Sequence, residues 1–352
     1  MARSPSLAAL VTSAMLLVSP LLPGCAAESG DEGDEEAAVV EEALGTFDPA
    51  RPIVLHYGFL QDEAVPRSGA ATTPNGALTG RLRVNGVENV IVTTAPPRSA
   101  DVVAWGGRVA YRATPAEITK PTAAAAASWL RAKIDQGYHY VVLDEIEPSK
   151  SSGLADGTDG ARALAAAMRA LEADPRYRRR VVLMVNTYNM AGTARNALAS
   201  YSTVLRACRD HCRVAAAEVY LAAREAFAPG APSATTCDSG IRCIGYLANA
   251  LDDIAPGIAK KTITILDVRG QGNLPGRSPG SYCWGDGGGA LRAEIAKVRE
   301  LGQPGVGFYA LTYVAADLDG PAERATFDAT VKKFAGCTRA LLAERAWPRV
   351  PR

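Results

Sequence analysis

Histidine is scarce in this chain. Only His56, His139 and His211 occur among 352 residues, which leaves no basis for a histidine-rich metal centre. No internal apolar run reaches the roughly 18 residues that a bilayer span requires. No Gly-x-Gly-x-x-Gly follows an early strand-like run, so the fingerprint of dinucleotide binding is missing and no cofactor is called for. Gly287-Gly288-Gly289 lacks the Lys-Ser/Thr pair of a Walker loop. There is no internal repeat. Acids are missing from residues 1–27 and bases from 28–45, where eight acids gather. With only Arg3 on the basic side before residue 46, residues 46–352 carry a net charge of +8. Charged residues make up 21% and hydrophobic ones 48%, a balance that excludes a disordered chain and permits a sizeable core.

What is present begins with an export signal. Arg3 supplies a positive n-region and Leu7 to Leu22 an apolar stretch broken by Pro20. Leu22-Pro23-Gly24-Cys25 then resembles the bacterial lipoprotein box, which implies lipidation at Cys25. Cleavage near Ala26-Ala27 is the alternative and yields a secreted protein. The expected organisation is a signal peptide over 1–25, an acidic tether over 26–45 that like charges keep extended, and one domain over 46–352. The expected location is outside the cytoplasm, as an outer-membrane lipoprotein or a secreted protein. Six cysteines remain: Cys208, Cys212, Cys237, Cys243, Cys283 and Cys337. An even number in an exported chain suggests disulfides. Cys237 with Cys243 closes a short loop, Cys208 and Cys212 lie close enough to pair, and Cys283 with Cys337 is what then remains.

Short apolar runs recur along the domain at Ile53–Tyr57, Val90–Thr93, Asp101–Trp105, Tyr140–Asp144, Val181–Val185, Val214–Val219, Thr262–Leu266 and Gly305–Tyr309. They lack strict alternation, as strands buried on both faces do. Helical patterns separate most of them, at 122–136, 159–173, 194–209, 290–301 and 321–335. Thr114-Pro115-Ala116-Glu117 reads as a capping box with proline in the first turn. Eight strands alternating with helices predict an α/β fold, a (β/α)8 TIM barrel with irregular, long βα loops. An open doubly wound sheet is the alternative.

In such a barrel the chemistry sits at the C-terminal strand ends. The runs end in His56-Tyr57, Trp105, Asp144-Glu145-Ile146-Glu147, Asn186-Thr187-Tyr188, Glu218-Val219-Tyr220, Asp267 and Tyr309. Acids and amides hold sugar hydroxyls while aromatic faces stack on pyranose rings, so the rim points to carbohydrate. His56, Tyr57, Trp105, Asn186, Tyr188, Tyr220 and Tyr309 are the expected sugar contacts. Trp284, in the long glycine-rich stretch after Arg269, is a further platform. Three carboxylates within 144–147 repel one another, which raises the pKa of at least one of them, as a general acid requires. Glu145 and Glu147 share one face by strand alternation and Asp144 takes the other, with Arg108 or Arg269 as available counter-ions.

Taken together these ends resemble the chitinase-like (β/α)8 glycoside hydrolases. Ala104-Trp105-Gly106-Gly107 is similar to that family's third-strand motif, and Leu143-Asp144-Glu145-Ile146-Glu147 to its fourth, with Glu147 at the acid's place. Leu143 and Glu145 stand where the motif has aspartates, so the resemblance implies the glycosidase class and neither chitin nor a substrate-assisted mechanism. Paired-carboxylate acid/base catalysis needs a second carboxyl across the bond. Glu145 with Glu218 is the expected pair, with Asp144, Glu147 and Asp267 in support. The expected partners are a polysaccharide, for which the basic domain makes an anionic one a reasonable choice, and a membrane reached only through the N-terminal lipid. Nucleic acid is not expected, and a monomer suffices. A non-catalytic carbohydrate-binding lipoprotein is one alternative. A phosphodiesterase holding a divalent ion on Asp144, Glu145 and Asp267 is the other.

Overall fold

The computed structural model describes residues 48–57, 85–93, 107–186, 194–219, 242–267, 286–309 and 340–351, all within the unit spanning Thr46–Arg352. Eight parallel strands close into a barrel in chain order. They are β1 (Ile53–Tyr57), β2 (Glu88–Thr93), β3 (Arg108–Ala113), β4 (Tyr140–Ile146), β5 (Val181–Asn186), β6 (Val214–Val219), β7 (Thr262–Asp267) and β8 (Gly305–Tyr309). The last pairs back onto the first, Ile53 with Gly305 through Tyr57 with Tyr309. The expected (β/α)8 barrel is thus the observed fold.

Helices α1 (Pro115–Ile118) and α2 (Ala123–Asp135) follow β3, α3 (Asp159–Leu171) follows β4, and α4 (Ala194–Ala199) and α5 (Ser202–His211) follow β5. Then come α6 (Arg242–Ile254) and α7 (Asp286–Glu300). The capping box forms as read, with the Thr114 amide donating to Glu117 Oε2 at 2.9 Å. Thr122 restarts the chain as α2 by accepting from the Ala125 amide, and Gly137, at φ 99°, ends that turn in a conformation glycine adopts freely. Helix α6 was not anticipated, although Ile244, Leu247, Leu251 and Ile254 keep helical spacing and are all buried.

Strand alternation sorts the core into two layers. Ile53, Leu55, Tyr57, Val90, Val92, Ala110, Tyr140, Val142, Val182, Met184, Val214, Ala216, Ile263 and Ile265 fill the barrel interior. Val141, Leu143, Val181, Leu183, Val185, Ala215 and Ala217 face the helices. Val350 joins the interior cluster, and its amide donates to the Ala50 carbonyl at 2.9 Å, so the C-terminal segment plugs the N-terminal end of the barrel.

The third strand corrects the sequence reading. It runs over Arg108–Ala113, not over Asp101–Trp105; residues 101–106 lie outside the described residues. Its inward positions are Arg108, Ala110 and Arg112, and charges at both ends hide the apolar signature of a buried strand. Each charge has a buried partner. Arg108 reaches Glu88 at 3.7 Å, and Arg112 reaches Asp144. At the barrel floor Glu88 also accepts from Tyr140 Oη at 2.6 Å and pairs with Arg213 at 2.8 Å. Arg213 donates in addition to the carbonyls of Pro49 and Arg51. Polar cohesion at this end belongs to stability. The run Arg176–Arg180 lies there too. Arg176 pairs with Asp135 and Arg179 with Glu172, while Arg180 is buried.

Candidate functional site

Among the described side chains, the last inward position of five strands is polar at the barrel's C-terminal mouth: Tyr57 on β1, Arg112 on β3, Asp144 on β4, Asn186 on β5 and Glu218 on β6. Asn186 and Glu218 are directly paired in register. The side chains of Asp144, Asn186 and Glu218 are 1%, 5% and 2% exposed, so three polar groups are held almost without water beneath the rim.

Tyr57 Oη donates to Asp144 Oδ2 at 2.9 Å. The Arg112 Nε donates to the same oxygen, and its guanidinium lies 5.3 Å from the centre of the Tyr57 ring. One carboxylate oxygen therefore takes two donors while the other, Oδ1, is buried with no hydrogen-bond partner. Burial raises the Asp144 pKa even against the neighbouring Arg112 charge, and the Glu145 charge adds to the rise. When Asp144 is protonated, the proton belongs on Oδ1, because Oδ2 is already saturated with donors. The Tyr57 phenol is pushed far up by burial, then by the negative charges of Asp144 and Glu218. It acts as a hydrogen-bond donor and not as a base, and it lies within electrostatic reach of both carboxylates.

A bulge separates Asp144 from its neighbour. Glu145 has a φ of 53°, and pairing with β5 shifts register between Leu143 and Ile146. An extra residue in one strand resets the alternation. Asp144 points into the barrel by plain alternation from Tyr140 and Val142, while beyond the bulge Ile146 joins the layer under the helices and Glu145 turns out at 28% exposure, 2.9 Å from Lys150 Nζ. The strict alternation assumed from sequence fails at this point. Glu147 lies beyond the strand, buried, taking the Ser149 hydroxyl at 2.7 Å and Lys150 at 3.4 Å, with its amide on Ser151 Oγ at 2.8 Å. The counter-ions of this acidic run are Arg112 and Lys150, in place of the expected Arg108, which sits at the barrel floor, or Arg269, which lies outside the described residues.

The structure brings together Tyr57, Asp144, Asn186 and Glu218 from the expected set. It does not bring His56 to the mouth. Alternation turns this ring to the other face of β1, fully buried, 6.5 Å from the Phe308 ring and hydrogen-bonded to Asn89, with its pKa lowered by burial to about 4. Asp267 and Tyr309 end β7 and β8 and pair in register. Trp105, Tyr188, Tyr220 and Trp284 lie outside the described residues, as do Cys25, Cys237, Cys283 and Cys337. Cys243 falls within α6. The expected pairing of Cys208 with Cys212 is corrected: both are buried free thiols. The Cys212 thiol packs 3.5 Å from Met168 Sδ and the Cys208 thiol points to the Val214 carbonyl, so each is seated in the core at the end of α5. Arg112 was missed from sequence because an arginine near a strand end reads as solvated. The period-2 spacing Arg108-x-Ala110-x-Arg112 was the available signal. Among the described residues no cluster of three or more His, Cys, Asp or Glu could hold a metal ion.

No family model and no curated protein matches the sequence. Solved structures do match by shape. A GH18 chitinase from Pseudoalteromonas aurantia is 13% identical over 79% of this chain and 99% of its own, with a TM-score of 0.43. An endo-beta-N-acetylglucosaminidase from Cordyceps militaris is 8% identical over 90% and 97%, with a TM-score of 0.44. The HMG-CoA lyase of Brucella melitensis is 12% identical over 84% and 100%, with a TM-score of 0.39. The neighbours include both hydrolase and lyase barrels, so the chemistry has to be argued from the mouth itself.

Proposed function

We propose that the domain is an exported glycoside hydrolase that cleaves a polysaccharide by paired-carboxylate acid/base catalysis, with Asp144 as the general acid and Glu218 as the second carboxyl. The observation that carries the reading is the pair of nearly water-free carboxyls on β4 and β6, both felt by the Tyr57 hydroxyl, one of them with a vacant oxygen. A glycosidic oxygen leaves as an alkoxide unless it is protonated, and a carboxyl with a raised pKa supplies that proton. Arg112 and Tyr57 fix Asp144 through Oδ2 and leave Oδ1 to deliver the proton. Glu218, projecting from β6, then serves as nucleophile or as base toward water. Asn186 holds a substrate hydroxyl between them. The export signal puts this chemistry outside the cytoplasm, with Cys25 as the lipid anchor.

A polysaccharide panel read by released reducing ends should yield a responsive substrate. On it Asp144→Asn and Glu218→Gln should each lose roughly 10²–10⁴-fold in turnover, the worth of general acid–base help. Wild-type turnover in both variants would reject the pair. A loss confined to Glu145→Gln or Glu147→Gln would move the acid to that position.

A further inference from the structure

We infer that the mouth is built for an acidic sugar: a hexuronate whose carboxylate pairs with the free side of Arg112 and whose adjacent hydroxyl donates to Asn186 Oδ1, leaving Asp144 Oδ1 to the glycosidic oxygen. This rests on reading the mouth as a sugar site and adds the substrate class.

Three observations carry it. Arg112 spends only Nε on Asp144, and its terminal nitrogens have no hydrogen-bond or ion-pair partner among the described residues. A guanidinium carries five N–H donors, so a fork remains open at a side chain that is 24% exposed. That fork matches a carboxylate in bidentate fashion. Were Arg112 only the counter-ion of Asp144, a two-oxygen pairing would satisfy both groups, yet the contact uses one oxygen and leaves the other orphaned. Second, Asn186 Oδ1 is a buried acceptor without a donor, on the strand next to Asp144. Buried acceptors left unmade cost free energy that an incoming donor returns. Third, the ligand that answers an open cation beside an orphaned acceptor carries an anionic group next to a hydroxyl. A ring with a carboxylate and vicinal hydroxyls does so. A phosphate dianion would bring at most one donor and would set two negative charges beside the Glu218 carboxylate. The net charge of +8 over residues 46–352 further favours polyanionic chains at the surface.

The test measures binding by calorimetry to the purified full chain. Oligomers of galacturonate, glucuronate and mannuronate are each compared with the same oligomer methyl-esterified. At least one acid should bind about tenfold or more tighter than its ester, as loss of a charge-assisted hydrogen bond implies. Arg112→Gln should abolish that difference, and Asn186→Ala should weaken acid and ester equally. Equal binding of every acid and its ester overturns the inference whether or not the variants fold. A preference retained in Arg112→Gln also overturns it, by assigning the preference to diffuse charge. Release of reducing ends, followed in parallel, separates the two readings. Cleavage of neutral chains with no preference for acids removes this inference alone. Arg112-dependent binding of acids without cleavage removes the hydrolase reading alone. Failure to bind any chain removes both.

Discussion

His56 and Tyr57 are adjacent in the chain, and the alternation of β1 sends one imidazole into the layer under the helices and one phenol into the mouth. The buried ring is held neutral, with its pKa lowered to about 4. His139 behaves alike, lowered to about 3 by burial and by the charges of Arg108 and Arg180. A depressed pKa in the folded state means that stability is complete above the ordinary histidine value and is lost as pH falls through the folded value. For His56 the window runs from about 6.5 to about 4, and the loss is on the order of 3 kcal/mol. Urea unfolding at pH steps from ~7 to ~4 should show this decline, and His56→Gln should make it shallower; a pH-independent midpoint in the wild type would refute it. Asp144 works in the opposite sense. Its raised pKa makes the folded state prefer the protonated form, so its contribution is present at low pH and is lost as pH rises through the folded value. Asp144→Asn should therefore keep its fold at neutral pH while losing turnover.

Among the elements, β8 shows how barrel closure selects residues. Its first and third positions are glycines because the neighbouring strands leave no room. A Cβ on Gly305 would sit 1.8 Å from the Ile53 carbonyl oxygen, and one on Gly307 would sit 2.7 Å from Ile265 Cγ1. Gly305→Ala meets backbone that cannot rotate aside and should cost about 1–3 kcal/mol or more, read as a lowered urea midpoint. An unchanged midpoint would contradict the closure of β8 onto β1. Sequence patterning placed β1, β2, β4, β5, β6, β7 and β8 to within two residues at each end. β3 escaped because Arg108 and Arg112 occupy inward positions and are neutralised by Glu88 and Asp144, which come from other strands. Helix α6 carried a readable apolar spacing between two less regular stretches. The Glu145 bulge left no mark in the sequence, since nothing in Leu-Asp-Glu-Ile-Glu says which residue is the extra one.

For the whole molecule, the proposed export is carried by residues that precede the fold. Arg3, the apolar stretch and Leu22-Pro23-Gly24-Cys25 imply that Cys25→Ser moves the protein from the membrane fraction to the soluble one. Retention in the membrane fraction by that variant would remove the anchor reading. The barrel itself was legible because hydrophobic period and element order are local quantities, set by which side chains can be buried where they stand. That polar groups gather at the strand ends was legible for the same reason. What only the tertiary structure decided is which of these groups share a space. Asp144 joins Glu218 and Tyr57 because barrel closure brings the inward ends of β4, β6 and β1 to one mouth, Arg112 reaches them because β3 begins seven residues later than its apolar signal, and His56 is withdrawn by a single step of alternation. Each of these depends on register between strands far apart in the chain, and a one-residue change of register exchanges the face on which a side chain lies.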